Sequence, residues 1–260
     1  MKIESHIIKL KNEIVSVRNY FKTGNSKVKP VSLKLVAVIL LFFTIFYFLG
    51  LIFSLPFDEV KKLRTTNPTR TAFMREHAQL AKENNRKFFV RQKWIPLSEI
   101  PRDAVNAVIV AEDGTFWTHN GFDWFEFQES IERNLEEGRA VRGASTISQQ
   151  VVKNLFLSSS KNPLRKLKEW ILTWYMEKHL SKKRILEIYM NIIEWGYGIY
   201  GIEAAANYYF NKSATELNRE ECARLAAIIP SPRKHRADVD SKYVLRRSKL
   251  ILERMEARGF

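Results

Sequence analysis

E-D-G-T-F-W-T-H-N-G-F-D at residues 112–123 and G-A-S-T-I-S-Q-Q-V-V-K-N at residues 143–154 hold most of the chemical information in this 260-residue chain. The first string places a carboxylate, Glu112, after the apolar run V-N-A-V-I-V-A. A carboxyl at the edge of an apolar stretch has its proton affinity raised by desolvation, which suits a general base. In the second, Ser145, Gln149 and Lys153 recur every four residues, so a helix through them stacks hydroxyl, amide and ammonium groups on one face. Ile147, Val151 and Leu155 repeat at the same interval, offset by about 200° at 3.6 residues per turn, and form the apolar side. Surface faces favour Glu, Lys and Arg; short neutral donors suit a ligand's oxygens. A proton acceptor opposite donors that hold an oxyanion is what group transfer from a phosphorylated substrate requires.

Outward from these strings the pattern is helical. Pro101 fits the first turn of a helix through Ala104, Val105, Val108 and Ile109 that ends near Glu112. Asn120-Gly121 marks a turn, and Asp123 caps the helix after it. Further helices are expected over Leu164–Leu180, Lys182–Asn191, Ile202–Tyr209 and Arg219–Ile229, and a basic final helix carries Val244, Ile251 and Met255 on one face. His119 reads as a hydrogen-bonding residue at the turn, and Glu169 as an i,i+4 ion pair with Arg165. Strand signals are few, so residues beyond 55 read as a mostly α domain.

Leu35–Leu55 is 21 residues without a charge, about 31 Å as a helix and long enough to cross a bilayer. It is longer than a signal-peptide core and lacks a small-residue cleavage site, so it reads as a retained anchor. Residues 1–34 hold eight Lys/Arg against two acids, which keeps the N-terminus cytoplasmic and exports the rest. Ile3, Ile7, Leu10, Ile14, Val17 and Phe21 form an amphipathic stripe in that tail. The expected organisation is a basic tail (1–34), a transmembrane helix (35–55), a membrane-proximal segment (56–93) and a catalytic domain (94–260).

A net charge of +15 points to anionic partners. Eight of the cations sit in the tail, and an exported domain does not meet DNA, so nucleic acid is set aside in favour of anionic lipid or a phosphate-bearing substrate. Cys222 is the only cysteine. It excludes an intramolecular disulfide and a Cys-based zinc site, and reads as a small core residue. Ser158–Lys161 and Lys22–Gly24 imitate the S-x-x-K and K-T-G of transpeptidases, but the span would put them on opposite sides of the membrane.

Taken in order, W-I-P-L (94–97), the two strings above, R-K-x-x-E (165–169), S-K-K-R-I-L-E-I-Y-M-N (181–191) and G-I-E-A-A-A-x-x-Y-F (201–210) resemble the monofunctional biosynthetic peptidoglycan glycosyltransferases. These form glycosyltransferase family 51, which shares its catalytic domain with class A penicillin-binding proteins. The resemblance implies a mainly α fold: a lysozyme-like head with a smaller membrane-proximal lobe, behind one transmembrane helix. It implies polymerisation of lipid II into β-1,4 glycan with loss of undecaprenyl pyrophosphate and inversion. Glu112 then resembles the general base, and Glu169 the second carboxylate that organises the leaving pyrophosphate. Ser145, Gln149, Gln150, Lys153, Arg165 and Lys166 match substrate-contacting positions, with Lys161 beside them. A divalent cation (Mg or Mn), anionic lipid, and cell-wall synthesis or division proteins are the companions that the resemblance implies. The nearest rival is a membrane-bound lytic transglycosylase or lysozyme-type hydrolase, which has no pyrophosphate to hold.

Overall fold

The computed structural model describes residues 12, 15, 33–138, 143, 145–160 and 162–260. The tail stripe, Lys161, and Ala144 of the second string lie outside them. Two compact units emerge, residues 1–54 and 55–260. In the first, α1 (Leu33–Phe53) carries no charge after Lys34. Its apolar side chains are exposed over most of its length, Phe42 and Phe46 at about two-thirds, with Leu51 buried near its end. A helix that is apolar all round has no water-facing side, and among the described residues it alone is long and apolar enough to cross a membrane. It ends two residues before the expected limit, and Leu55 belongs to the core of the second unit.

That unit is mainly helical. Its helices are α2 (Phe57–Lys62), α3 (Ala72–Glu83), α4 (Arg102–Glu112), α5 (Trp124–Glu136), α6 (Ile147–Phe156), α7 (Pro163–His179), α8 (Lys182–Ile192), α9 (Ile202–Phe210), α10 (Arg219–Ile228) and α11 (Lys242–Glu256). Most begin at a residue whose side chain accepts from the first-turn backbone: Thr71, Asp123, Thr146, Asn162, Ser181, Asn218 and Ser241. Each such cap stabilises its helix by about 1 kcal/mol.

Two groups of helices position the site. In one, α10 packs on α4 and α11. Ala223, Ala226 and Ala227 of α10 are fully buried, and their small side chains let the neighbouring backbones approach. Arg224 is buried there with its donors used, Nε to the Ala237 carbonyl (2.6 Å) and Nη2 to Asp240 (2.7 Å). In the other, α6 packs against α3, α7 and α8, burying Ile147, Val151, Val152 and Leu155. Cys222 is a core residue, and burial pushes its thiol up to about 12.

A three-stranded sheet in the order β1-β3-β2 (Arg91–Gln92, Ile199–Tyr200, Glu194–Gly196) flanks α9. β1 runs parallel to β3, and β2 antiparallel to it. Asn191 at the end of α8 pins the chain after β1, exchanging hydrogen bonds with the Ile95 backbone at 2.9 Å in both directions. Gly201 has φ +80°, and a Cβ there would lie 2.7 Å from the Asn191 carbonyl oxygen, so only glycine fits this turn.

Candidate active site

Helix α4 forms because Ala104, Ala107, Val108 and Ile109 bury one side of it, and Glu112 is its last residue. The carboxylate therefore sits at the negative end of the helix dipole, with only 12% of its side chain exposed. Burial raises its pKa above the ordinary carboxylate value, and neighbouring Asp113 adds to the rise. Two groups oppose it. Gln150 of α6 donates from Nε2 to Glu112 Oε2 at 3.0 Å, and Arg247 of α11 brings Nη2 to 3.8 Å from Oε1. Tyr189 of α8 donates its hydroxyl to Gln150 Oε1 at 3.2 Å, which fixes the amide with its NH2 toward the carboxylate. Such a poorly hydrated carboxylate holds a proton strongly enough to take one from an alcohol as it attacks.

Asp113 locks this end of α4 to the start of α6. Its Oδ2 accepts from the Ile147 amide at 2.9 Å, and His119 Nε2 lies 3.0 Å from Oδ1. Gly121 N donates to His119 Nδ1 at 3.0 Å, so the ring's proton is on Nε2 and is given to Asp113. The Gly121 carbonyl in turn accepts from Thr146 Oγ1 at 2.7 Å. Gly121 itself has φ +91°, and a Cβ would strike Thr173 and Glu177 at 2.9 Å. His119 thus acts through Asp113 on the architecture. Asp113→Ala is expected to lower stability by about 1–3 kcal/mol, the cost of orphaning buried donors. Thermal unfolding should register several degrees of loss; an unchanged melting temperature would contradict this role.

The second string folds differently from its four-residue spacing. Thr146 and Gln149 form a capping box: Gln149 N donates to Thr146 Oγ1 (3.2 Å) and Thr146 N to Gln149 Oε1 (3.0 Å). The helix therefore starts at Ile147, Ser145 stands before the cap, and the expected stack of Ser145 on Gln149 and Lys153 does not form. The T-x-x-Q signature that sets this boundary was present in the sequence. Ser148 turns away from the ligand side, toward Glu177.

The nominated residues nevertheless converge around α6. Ser145, Gln149 and Lys166 line a cavity of about 270 Å³ whose other walls include Phe122, Trp124 and Trp170. On α7, Glu169 is buried and accepts from Arg165 Nη1 and Lys166 Nζ. Both readings of Glu169, ion pair and site residue, are thus compatible. Lys153, one turn along α6 from Gln149 and Gln150, feels Glu169, Arg165 and Lys166 electrostatically. Burial holds its ammonium below the ordinary lysine value; Glu169 opposes the shift, and the two neighbouring cations reinforce it. Three cations around one carboxylate leave a local surplus of positive charge, which favours an anionic ligand. Helix α6 carries both halves, with Gln150 on the carboxylate and Gln149 and Lys153 on the cationic side.

Arg247 and Tyr189 were not singled out in the sequence. Arg247 had a signal: it lies three residues after Val244 and four before Ile251, on the stripe that turns inward. Tyr189 had none, because only the packing of α8 on α6 brings it to Gln150.

The residues do not fit a divalent ion held by the protein. Among the described residues no three His, Cys, Asp or Glu side chains gather, and both oxygens of Glu169 are engaged by cations.

A family model described as transglycosylase matches residues 77–256. The chain is 43% identical over 212 residues to a curated biosynthetic peptidoglycan transglycosylase of Nitrosospira multiformis, spanning 80% of this chain and 92% of that protein. It is 44% identical over 189 residues to one from Methylobacillus flagellatus, covering 73% and 82% of the two chains. A Janthinobacterium protein of the same name is 44% identical over 191 residues, covering 74% and 83%.

Proposed function

Since the chain belongs to the transglycosylase family, we propose that it polymerises lipid II into linear β-1,4 glycan strands of peptidoglycan. Undecaprenyl pyrophosphate is released, with inversion at the anomeric carbon. The observation that supports this best is the pairing, through α6, of a carboxylate with raised proton affinity and a cationic cluster.

In this reading Glu112 takes the proton of the acceptor GlcNAc 4-hydroxyl as its oxygen attacks the donor's anomeric carbon. The bond from that carbon to the pyrophosphate oxygen breaks, and its electron pair leaves with the lipid pyrophosphate. Lys153, Arg165 and Lys166 offset the charge that grows on the leaving group. Glu169 orients Arg165 and Lys166, while Ser145, Gln149 and Gln150 position the substrate. A lytic or lysozyme-type enzyme acting on finished glycan releases no pyrophosphate and needs no cationic cluster, so that alternative is not favoured. Incubating the full chain with lipid II separates the two readings: polymer is expected, and shortening of preformed sacculi without polymer would contradict the proposal.

We also propose that α1 spans the membrane once, with the basic tail in the cytoplasm and residues 55–260 outside, where lipid II and anionic headgroups are met. Protease protection in sealed vesicles tests the orientation. Any divalent cation would take most of its ligands from the pyrophosphate rather than from the protein. Chelator is therefore expected to leave the melting temperature of the substrate-free chain unchanged within about 1 °C, whereas a drop of several degrees would reveal a resident ion.

A further inference from the structure

Arg247 occupies a position that helix periodicity reserves for an apolar side chain. Val244 and Ile251, on either side of it along the stripe, are buried, and α11 packs this face on α4 and α10. Its Nε is buried and, among the described residues, has no hydrogen-bond partner. Buried donors are nearly always paired; the Arg247 side chain keeps 32% exposure, and the inward part of its guanidinium faces an anion. The anion here is Glu112, 3.8 Å from Nη2.

The groups facing Glu112 come from four elements. Gln150 of α6 donates a neutral hydrogen bond. Tyr189 of α8 acts through Gln150 and, as a neutral phenol, adds no charge. Asp113, next in the chain, is an acid and disfavours ionisation. Arg247 of α11 is the cation that favours it. Both the Gln150 amide and the guanidinium favour the ionised form, the amide by hydrogen bonding and the guanidinium by its charge; Arg247 is the one of the two that carries a full charge.

We propose that Arg247 is a positioning residue of the polymerisation reaction: its guanidinium keeps the Glu112 side chain in its proton-accepting form, so that a proton taken from one acceptor sugar is released before the next addition. This role rests on Glu112 being the base. It predicts which step weakens when the cation is lost: resetting of the carboxyl, with the grip on the lipid pyrophosphate left intact.

The experiment is the pH profile of kcat/KM for lipid II polymerisation by the full chain, wild type against Arg247→Gln and Arg247→Lys. The acidic limb of the Gln variant is expected to move up by about one pH unit, the scale set by an opposite charge at this distance, with the rate rising toward wild type above it. The Lys variant should keep the limb near its wild-type position. An unmoved limb, or a loss equal at every pH, would overturn the proposal.

A stability cycle reads the pairing without catalysis and remains informative even where Arg247→Gln alone folds poorly. At pH 7.5 the loss of melting temperature caused by Arg247→Gln is expected to shrink by at least half in a Glu112→Gln background, because no buried carboxylate is then left uncompensated. Equal losses in both backgrounds would reject the pairing. Normal polymerisation by Glu112→Gln would instead reject the base itself, so the two failures are distinguishable.

Discussion

Glu112→Gln is expected to reduce lipid II polymerisation by roughly 10²–10⁴-fold, the range that general-base catalysis contributes. The amide preserves shape and can still accept from Gln150 Nε2, but it cannot take a proton. The same variant should be more stable than wild type at neutral pH. Burial raises the carboxyl's pKa in the folded chain above 4.5, so the folded state retains its proton to higher pH than the unfolded one. Ionisation therefore opposes folding from about pH 4.5 upward, and the penalty grows until pH passes the folded-state value. Glutamine never ionises, so its advantage should be present at pH 7–8 and vanish near pH 4. Thermal melts at the two pH values check this, with about 2–4 °C expected per kcal/mol in a unit of this size. An active site that is locally unfavourable to folding is the usual cost of a tuned carboxylate.

Lys153→Ala should lower the rate by about 10²–10³-fold, the scale for removing one group aimed at developing charge, while the fold survives. Glu169 keeps Arg165 and Lys166 as partners, so no buried anion is orphaned, and a poorly hydrated ammonium is removed. The loss should fall mainly on kcat, because negative charge on the leaving oxygen peaks in the transition state. Steady-state kinetics with a melting curve separate this from collapse of the site: a rise in KM alone, or a large fall in melting temperature, would contradict the assignment. Burial and the neighbouring cations also place the Lys153 ammonium below the ordinary lysine value of 10.5. The alkaline limb of kcat/KM should consequently lie below that value. It should move upward in kcat, where bound pyrophosphate restores the ammonium's preference for charge.

Most of the helical frame was legible in the residues. Apolar spacing marked α4 and α7 to α10 to within a few residues, and the inward stripe of α11, because one buried face per helix leaves a 3.6-residue record. Cap letters such as Asp123 marked starts for the same local reason. The error at Ser145 came from extending a four-residue spacing across a cap: Thr146 and Gln149 satisfy each other and begin the helix two residues later. Glu112, Gln150, Lys153 and Glu169 could be nominated from their strings, but not the way they meet. That depends on Asp113 holding the Ile147 amide and on α7 packing against α6, contacts between residues far apart in sequence. Arg247 shows the remaining gap. A charge on an inward stripe is visible in the sequence, whereas the carboxylate that answers it is found only after α11 docks on α4.

The proton-taking role of Glu112 is tested most directly by the pH dependence of kcat/KM for lipid II polymerisation by the wild-type chain. The acidic limb is expected above 4.5, the ordinary value for a glutamate, and Glu112→Gln should remove it along with the activity. A limb at or below that value, or one that persists in an active Gln variant, would mean that another group receives the proton.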